Sequence, residues 1–173
     1  RLKIKKTPQL GTLKKFIKNY KNPKHQVTIA MCGKYTELID SYKSVMEAFV
    51  HAGVENNSSV NIKWIQTEKI KNYKDVRDVF SNVNGVLILP GFGSRGSEGK
   101  IKIIKYSREN MVPFLGICLG LQCAIIEFAR NVCNMEGANS TEFNAKTRYP
   151  VIDLMESQRA IKIKGGTMRL GAY

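Results

Sequence analysis

A chain of 173 residues, 43% hydrophobic and 24% charged, has the make-up of one globular domain with a substantial buried core. No apolar run approaches the roughly 20 residues of a membrane span, so no membrane association is expected. The net charge of +14, from 28 basic against 14 acidic residues, permits attraction to nucleic acid or anionic metabolites, but the lysines are dispersed and no aromatic-interleaved motif or recognition helix accompanies them. A solvated basic surface, with no nucleic-acid partner, is the expectation.

Residues 1–25 read as a leader. Leu10, Leu13, Phe16, Ile17 and Tyr20 recur at helical spacing, and Asn22-Pro23 stops the helix. The opening Arg1-Leu2-Lys3-Ile4-Lys5-Lys6 has no apolar core of a signal peptide, and the missing initiator Met predicts a piece of a longer polypeptide. Residues 26–173 read as the domain proper. Val27–Met31 is an apolar strand ending at Gly33, and Asp40–Gly53 a helix with Tyr42, Val45, Met46, Phe49 and Val50 on one face. Asn61–Ile65 is a second strand, Lys74–Ser81 a short helix, and Val86–Leu89 a third strand closed by Pro90-Gly91. Glu98–Asn110 is a helix with Ile101, Ile104 and Tyr106 inward, Pro113–Ile117 a fourth strand, and Leu119–Val132 the next helix. Further strands are expected over 148–155 and 160–164, before a loop at Gly165-Gly166. Strands that are apolar throughout, alternating with helices, describe an α/β fold: an open, mostly parallel sheet with helices on both faces. Ligands bind such sheets at the strands' carboxyl ends, here marked by Gly33, Gly91 and Cys118.

Of the four cysteines, Cys32 reads as a strand-end core residue, while Cys123 and Cys133 belong to the helix after the fourth strand, where packing is the expected role. None forms a C-x-x-C pair or has a histidine nearby, so no metal site is expected. Free thiols suit a cytoplasmic protein. Cys118 differs in setting. Gly116-Ile117-Cys118-Leu119-Gly120 runs from a strand through a sharp turn into a helix, the cysteine form of the G-x-S-x-G nucleophile elbow. The glycines suit a turn too tight for a Cβ, and a helix N-terminus favours thiolate over thiol. An ordinary buried cysteine at a strand–helix junction is the alternative. Pro90-Gly91-Phe92-Gly93-Ser94-Arg95-Gly96 closes the preceding strand, which the connecting helix makes a neighbour of the elbow strand. The Gly91 and Leu119 amides then supply two donors to an oxyanion, as acyl transfer requires. A phosphate-binding loop is the competing reading, although neither a Walker sequence nor G-x-G-x-x-G is present.

A thiol nucleophile calls for a base. His25 precedes the first strand and lies at the opposite edge of the sheet, and His51, late in a helix, reads as a surface or packing residue.

Several segments together resemble the class I, triad-type glutamine amidotransferases, and most specifically the CTP synthase branch. They are Gly33-Lys34-Tyr35 with Asp40-Ser41-Tyr42, residues 91–100, residues 113–122, Glu127-Phe128-Ala129-Arg130-Asn131, Gly137-Ala138-Asn139-Ser140-Thr141-Glu142-Phe143, and Gly165-Gly166-Thr167-Met168-Arg169-Leu170-Gly171. The resemblance implies a flavodoxin-like sheet and a glutaminase in which Cys118 attacks the side-chain amide of glutamine, releasing ammonia and leaving a thioester that water hydrolyses. It assigns the oxyanion hole to the backbone of Gly91 and Leu119 and glutamine binding to Gly91, Phe92, Gln122 and Glu142, with Glu142 opposing the α-ammonium. Phe92 and the lid residue Arg169 are implied to serve activation by GTP. The leader would arrive from a synthetase domain that uses ATP and Mg2+ to aminate UTP, within a homotetramer. Read simply as residues, Gln122, Glu142 and Arg169 would be ordinary helix, loop and surface side chains.

The family's base histidine and its glutamate follow the Met-Arg-Leu-Gly loop, and this chain ends at Tyr173, so the domain is expected to be incomplete and inactive alone. Where the CTP synthases usually carry two glycines after a proline, this chain has Pro90-Gly91; Pro90 offers no N–H, whereas Gly91 keeps its own. A catalytically silent regulatory or scaffold domain on the same fold is the alternative.

Overall fold

In the computed structural model, which describes residues 8–34, 36 and 39–156, the apolar runs become the centre of a parallel sheet. Its strands are β1 (His25–Gly33), β2 (Ser58–Gln66), β3 (Gly85–Ile88) and β4 (Phe114–Gly116), in the spatial order β2-β1-β3-β4. Around them run α1 (Gly11–Lys21), α2 (Lys43–Glu55), α3 (Tyr73–Val79), α4 (Ser97–Glu109) and α5 (Leu119–Asn131), with single 3-10 turns at Ile39–Tyr42 and Thr67–Lys69. The chain winds outward in opposite directions from β1, so β1 and β3 meet at the switch point where such sheets open a crevice.

Alternate residues of the central strands feed separate cores, which is why the strands carry no polar face. Ala30, Cys32, Val86 and Ile88 pack against Val76 and Phe80 of the α3 region, Ile101, Ile103 and Ile104 of α4, and Leu119, Cys123 and Ile126 of α5. Met31, Leu87 and Leu89 pack on the other face with Tyr42, Val45, Phe49 and Trp64. Tyr106 turns inward as its spacing suggests, with its ring centroid 4.5 Å from that of Phe80. Cys32, Ile88 and Gly116 stand level across β1, β3 and β4, so the segments that follow them emerge together at one edge of the sheet. Among the described residues no helix is long and apolar enough to cross a membrane.

Several boundaries differ from those the sequence suggests. The helix expected from Asp40 begins as a 3-10 turn and becomes α2 only at Lys43. β2 starts three residues before Asn61, because its pairing with β1 runs through Ser58, opposite His25. The strand expected over 148–155 shrinks to β6 (Pro150–Ile152), which leaves the main sheet to pair with β5 (Asn139–Ser140), a strand the sequence reading missed. Two paired residues are too few for a periodic signal. The strand expected over 160–164 lies outside the described residues. In the leader, α1 forms between the expected limits but buries no residue; it touches α2 through the Phe16–His51 ring pair and a hydrogen bond from Asn19 Nδ2 to the Val54 carbonyl.

Candidate active site

The elbow is built by close approach. A Cβ on Gly120 would lie 2.5 Å from the Ile88 carbonyl oxygen of β3, so only glycine lets α5 start this near the sheet. Ile117 N–H donates to that same carbonyl, and Gly120 N–H closes the turn onto the Ile117 carbonyl at 2.8 Å. Cys118, at the N-cap of α5, is left with φ 53° and ψ −109°. A non-glycine residue held at positive φ is strained, and such strain concentrates at functional sites. Cys118 is partly exposed.

The other cysteines are set apart from it. Cys32 and Cys123 are fully buried. Burial pushes the Cys32 thiol far up, and pushes Cys123 up to about 11 despite the opposing charge of Lys100. Cys133 is exposed, just past the end of α5.

Gly91 lies beside the elbow. A Cβ built on it would fall 3.7 Å from Leu119 Cδ2, so the loop after β3 passes directly over the first residue of α5. Leu119 is the first helical residue, and its N–H is one that a helix leaves without an internal acceptor. Beneath the loop, fully buried Lys100 sends Nζ to the Leu89 carbonyl at 2.8 Å. Burial lowers the pKa of Lys100, while the thiols of Cys123, Cys32 and Cys118 oppose that shift.

Gly91, Phe92, Cys118, Gln122, Ser140, Thr141, Glu142, Ile152, Asp153 and Leu154 line one cavity of about 550 Å3. The structure therefore brings Gly91, Phe92, Cys118, Gln122 and Glu142 together, with Leu119 behind Gly91. Phe92 is 64% exposed at the rim. Gln122 projects one turn into α5 from the thiol, and its N–H donates to the Cys118 carbonyl. Glu142 is carried by the turn after β5, whose neighbour Phe143 packs against the α3–α4–α5 core. Arg130 steadies that segment, donating through Nε to the Ala138 carbonyl at 2.6 Å and through Nη1 to Glu98. Arg169 lies outside the described residues.

Sequence reading missed the wall formed by Ser140, Thr141, Ile152, Asp153 and Leu154, in which Thr141 Oγ1 donates to Asp153 at 2.8 Å. It depends on the unforeseen pairing of β5 with β6. Sequence reading also gave no role to Lys34, whose Nζ reaches the loop after β3; its place at the end of β1 was the available signal. Neither histidine lines the cavity: the His51 ring packs at a tilt of 50° against Phe16, and His25 opens β1 at the opposite edge of the sheet. The described residues contain no group of three or more His, Cys, Asp or Glu that could hold a metal ion.

The family model for class-I glutamine amidotransferases matches residues 37–173. CTP synthase of Chlorobaculum tepidum is 53% identical over 174 aligned residues, covering 99% of this chain and 31% of the relative. CTP synthase of Methanocaldococcus jannaschii is 53% identical over 171 residues, covering 96% and 32% respectively. The chain thus spans about a third of the length of the curated relatives it matches. Among solved structures, the glutaminase domain of Trypanosoma brucei CTPS with bound acivicin superposes with a TM-score of 0.72 and 33% identity, over 77% of this chain and 52% of that one.

Proposed function

The chain belongs to the class-I glutamine amidotransferase family, and from that premise we propose that it is the glutaminase part of a CTP synthase, hydrolysing glutamine at Cys118. The single observation carrying this reading is a strained, partly exposed Cys118 that lines one cavity together with Gly91, Gln122 and Glu142.

Cys118 Sγ attacks the carboxamide carbon of glutamine. Negative charge collects on the carboxamide oxygen, where the N–H groups of Gly91 and Leu119 form an oxyanion hole. The C–N bond then breaks, a proton is delivered to the departing nitrogen, and ammonia leaves behind a γ-glutamyl thioester. Water hydrolyses the thioester to glutamate and restores the thiol. Glu142 opposes the α-ammonium of glutamine, Gln122 holds its amino-acid end, and Phe92 borders both the pocket and the surface on which GTP acts. Arg169 is assigned to a lid.

Proton transfer needs a base, and neither His25 nor His51 is at the cavity. These 173 residues by themselves are therefore expected to turn over glutamine poorly. Losing one member of a nucleophile–base unit costs up to about a millionfold. In the intact protein, ammonia passes to a synthetase domain, in which ATP and Mg2+ serve the amination of UTP to CTP; no step of the glutaminase chemistry in this chain runs through them. A cytoplasmic homotetramer completes the proposal.

The test is ammonia and glutamate release from glutamine by the intact protein, with and without GTP. Hydrolysis that disappears in Cys118→Ala is the expected result. An inert wild type with Cys118 accessible overturns the reading in favour of a catalytically silent domain on the same fold.

A further inference from the structure

The Phe92–Gly93 peptide is gripped at both ends. Lys34 Nζ donates to the Phe92 carbonyl at 2.6 Å and to the Gly93 carbonyl at 3.2 Å, while the Gly93 N–H donates to Glu142 Oε1 at 2.6 Å. The carbonyl and the amide of one peptide unit thus face a cation from the end of β1 and an anion from the turn after β5. These charge-assisted bonds are short and stronger than neutral ones. The clamped unit lies two peptide units after the Gly91 N–H, with the Gly91–Phe92 peptide between them, so holding it limits how far the short loop that carries that N–H can shift.

Lys34 is poorly placed for a purely structural charge. It is 5% exposed. Burial, and then the guanidinium of Arg95, lower its pKa, with Glu68 and Glu142 opposing them. An ammonium held in such surroundings is costly unless its hydrogen bonds are worth keeping. Its backbone is fixed as well, because Tyr42, itself buried, donates its hydroxyl to the Lys34 carbonyl at 2.7 Å. A buried residue just past the end of β1 therefore reaches across the switch point to hold the loop that follows β3.

We propose that Lys34 is a positioning residue for the glutaminase reaction, fixing the Phe92–Gly93 peptide so that the Gly91 N–H stays aimed at the forming oxyanion and Glu142 stays beside it to meet the α-ammonium. The inference rests on the glutaminase reading given above. Glu142 has two carboxylate oxygens, and Oε1 is engaged by Gly93; the bound amino acid therefore meets a carboxylate already tied to the oxyanion loop. Substrate occupancy and loop geometry are linked through a single side chain. The thiol stands on another element, α5, and does not depend on this clamp.

The experiment uses the intact protein in a Cys133→Ala background, with iodoacetamide alkylation read by mass spectrometry on the peptide that contains Cys118, so that thiols elsewhere do not contribute. Lys34→Met removes the donor while keeping the length of the side chain. Expected is a loss of about tenfold or more in kcat per alkylatable Cys118, up to the roughly hundred- to thousandfold cost of removing an oxyanion donor outright, with the alkylation rate at Cys118 unchanged. A smaller loss in kcat, or a parallel loss of thiol reactivity, overturns the proposal. If Lys34→Met does not fold, Lys34→Leu, which also removes the donor, is judged by the same criterion. An inert wild type sinks the glutaminase reading itself, whereas an active wild type with an unaffected Lys34 variant sinks only the clamp.

Discussion

Gly116 and Gly120 face each other so closely across the elbow that a Cβ on Gly116 would stand 2.6 Å from the carbonyl carbon of Gly120. Gly120 is in turn pressed against the Ile88 carbonyl. The end of β4, the first turn of α5 and the end of β3 are therefore wedged together through backbone atoms, which do not move aside as a flexible side chain would. The strain at Cys118 is maintained by this wedge. Each glycine is required by contact rather than by its own dihedral freedom, since neither is among the positive-φ glycines of the chain.

Gly120→Ala is expected to destabilise the protein by about 1–3 kcal/mol or more, the cost of overpacking a site that cannot relax. Urea unfolding followed by fluorescence of Trp64, the single tryptophan, gives the measurement. Gly11→Ala is the control: a Cβ there meets nothing within 4 Å, so the change should be neutral or stabilising by up to about 1 kcal/mol. Equal effects at the two positions would contradict the wedge.

How much of this was legible in the sequence follows from which forces are local. The central strands β1 and β3 declared themselves because a strand covered on both faces needs no polar alternation, whereas β2 and β4 lie at the edges of the sheet and are only partly covered. The elbow declared itself because two glycines flanking a cysteine between strand and helix have few other uses. Helix starts were less legible: nothing in Asp40–Tyr42 distinguishes a 3-10 turn from the α2 that follows. The wall of the cavity was hidden for a different reason. β5 and β6 pair over two or three residues, and their register rests on tertiary contacts such as Thr141 N–H to the Ile152 carbonyl. The reach of Lys34 to Phe92 spans 58 positions and has no periodic trace. The family resemblance supplied what periodicity could not, including the grouping of Gln122 and Glu142 with Cys118.

Glu127 is 1% exposed, and Arg108 holds both of its oxygens, Nη2 at 2.8 Å and Nε at 3.0 Å. The bond to Glu127 leads the influences that raise the Arg108 pKa. This pair joins α4 to α5, the two helices that follow the loop after β3 and the elbow. Arg108→Ala is expected to cost about 3–5 kcal/mol, because it strands a buried carboxylate. Replacing both partners, as Arg108→Met with Glu127→Leu, should recover most of that loss. Urea midpoints of Arg108→Ala and of the double variant decide the matter. A double variant no more stable than Arg108→Ala would mean that the pair contributes through something other than charge compensation.

The buried thiol of Cys123 makes a distinct prediction about alkaline pH. Its pKa moves from an ordinary 9.0 to about 11 on folding, chiefly through burial. Between those values the unfolded chain has released the proton and the native protein keeps it, so the term linking stability to pH is negative and stability falls as pH rises. Two pH units correspond to about 3 kcal/mol. The lowered pKa values of Lys34 and Lys100 act in the opposite sense, since near their ordinary value of 10.5 the native state binds fewer protons than the unfolded one. The contribution of Cys123 is therefore read as a difference. The stability of the wild type minus that of Cys123→Ala should be constant up to about pH 8.5 and then shrink steadily toward pH 11. A difference that stays level across that range would show that the thiol ionises in the folded protein as freely as in the unfolded chain, and that the α5 face of the sheet is open to water beneath the elbow.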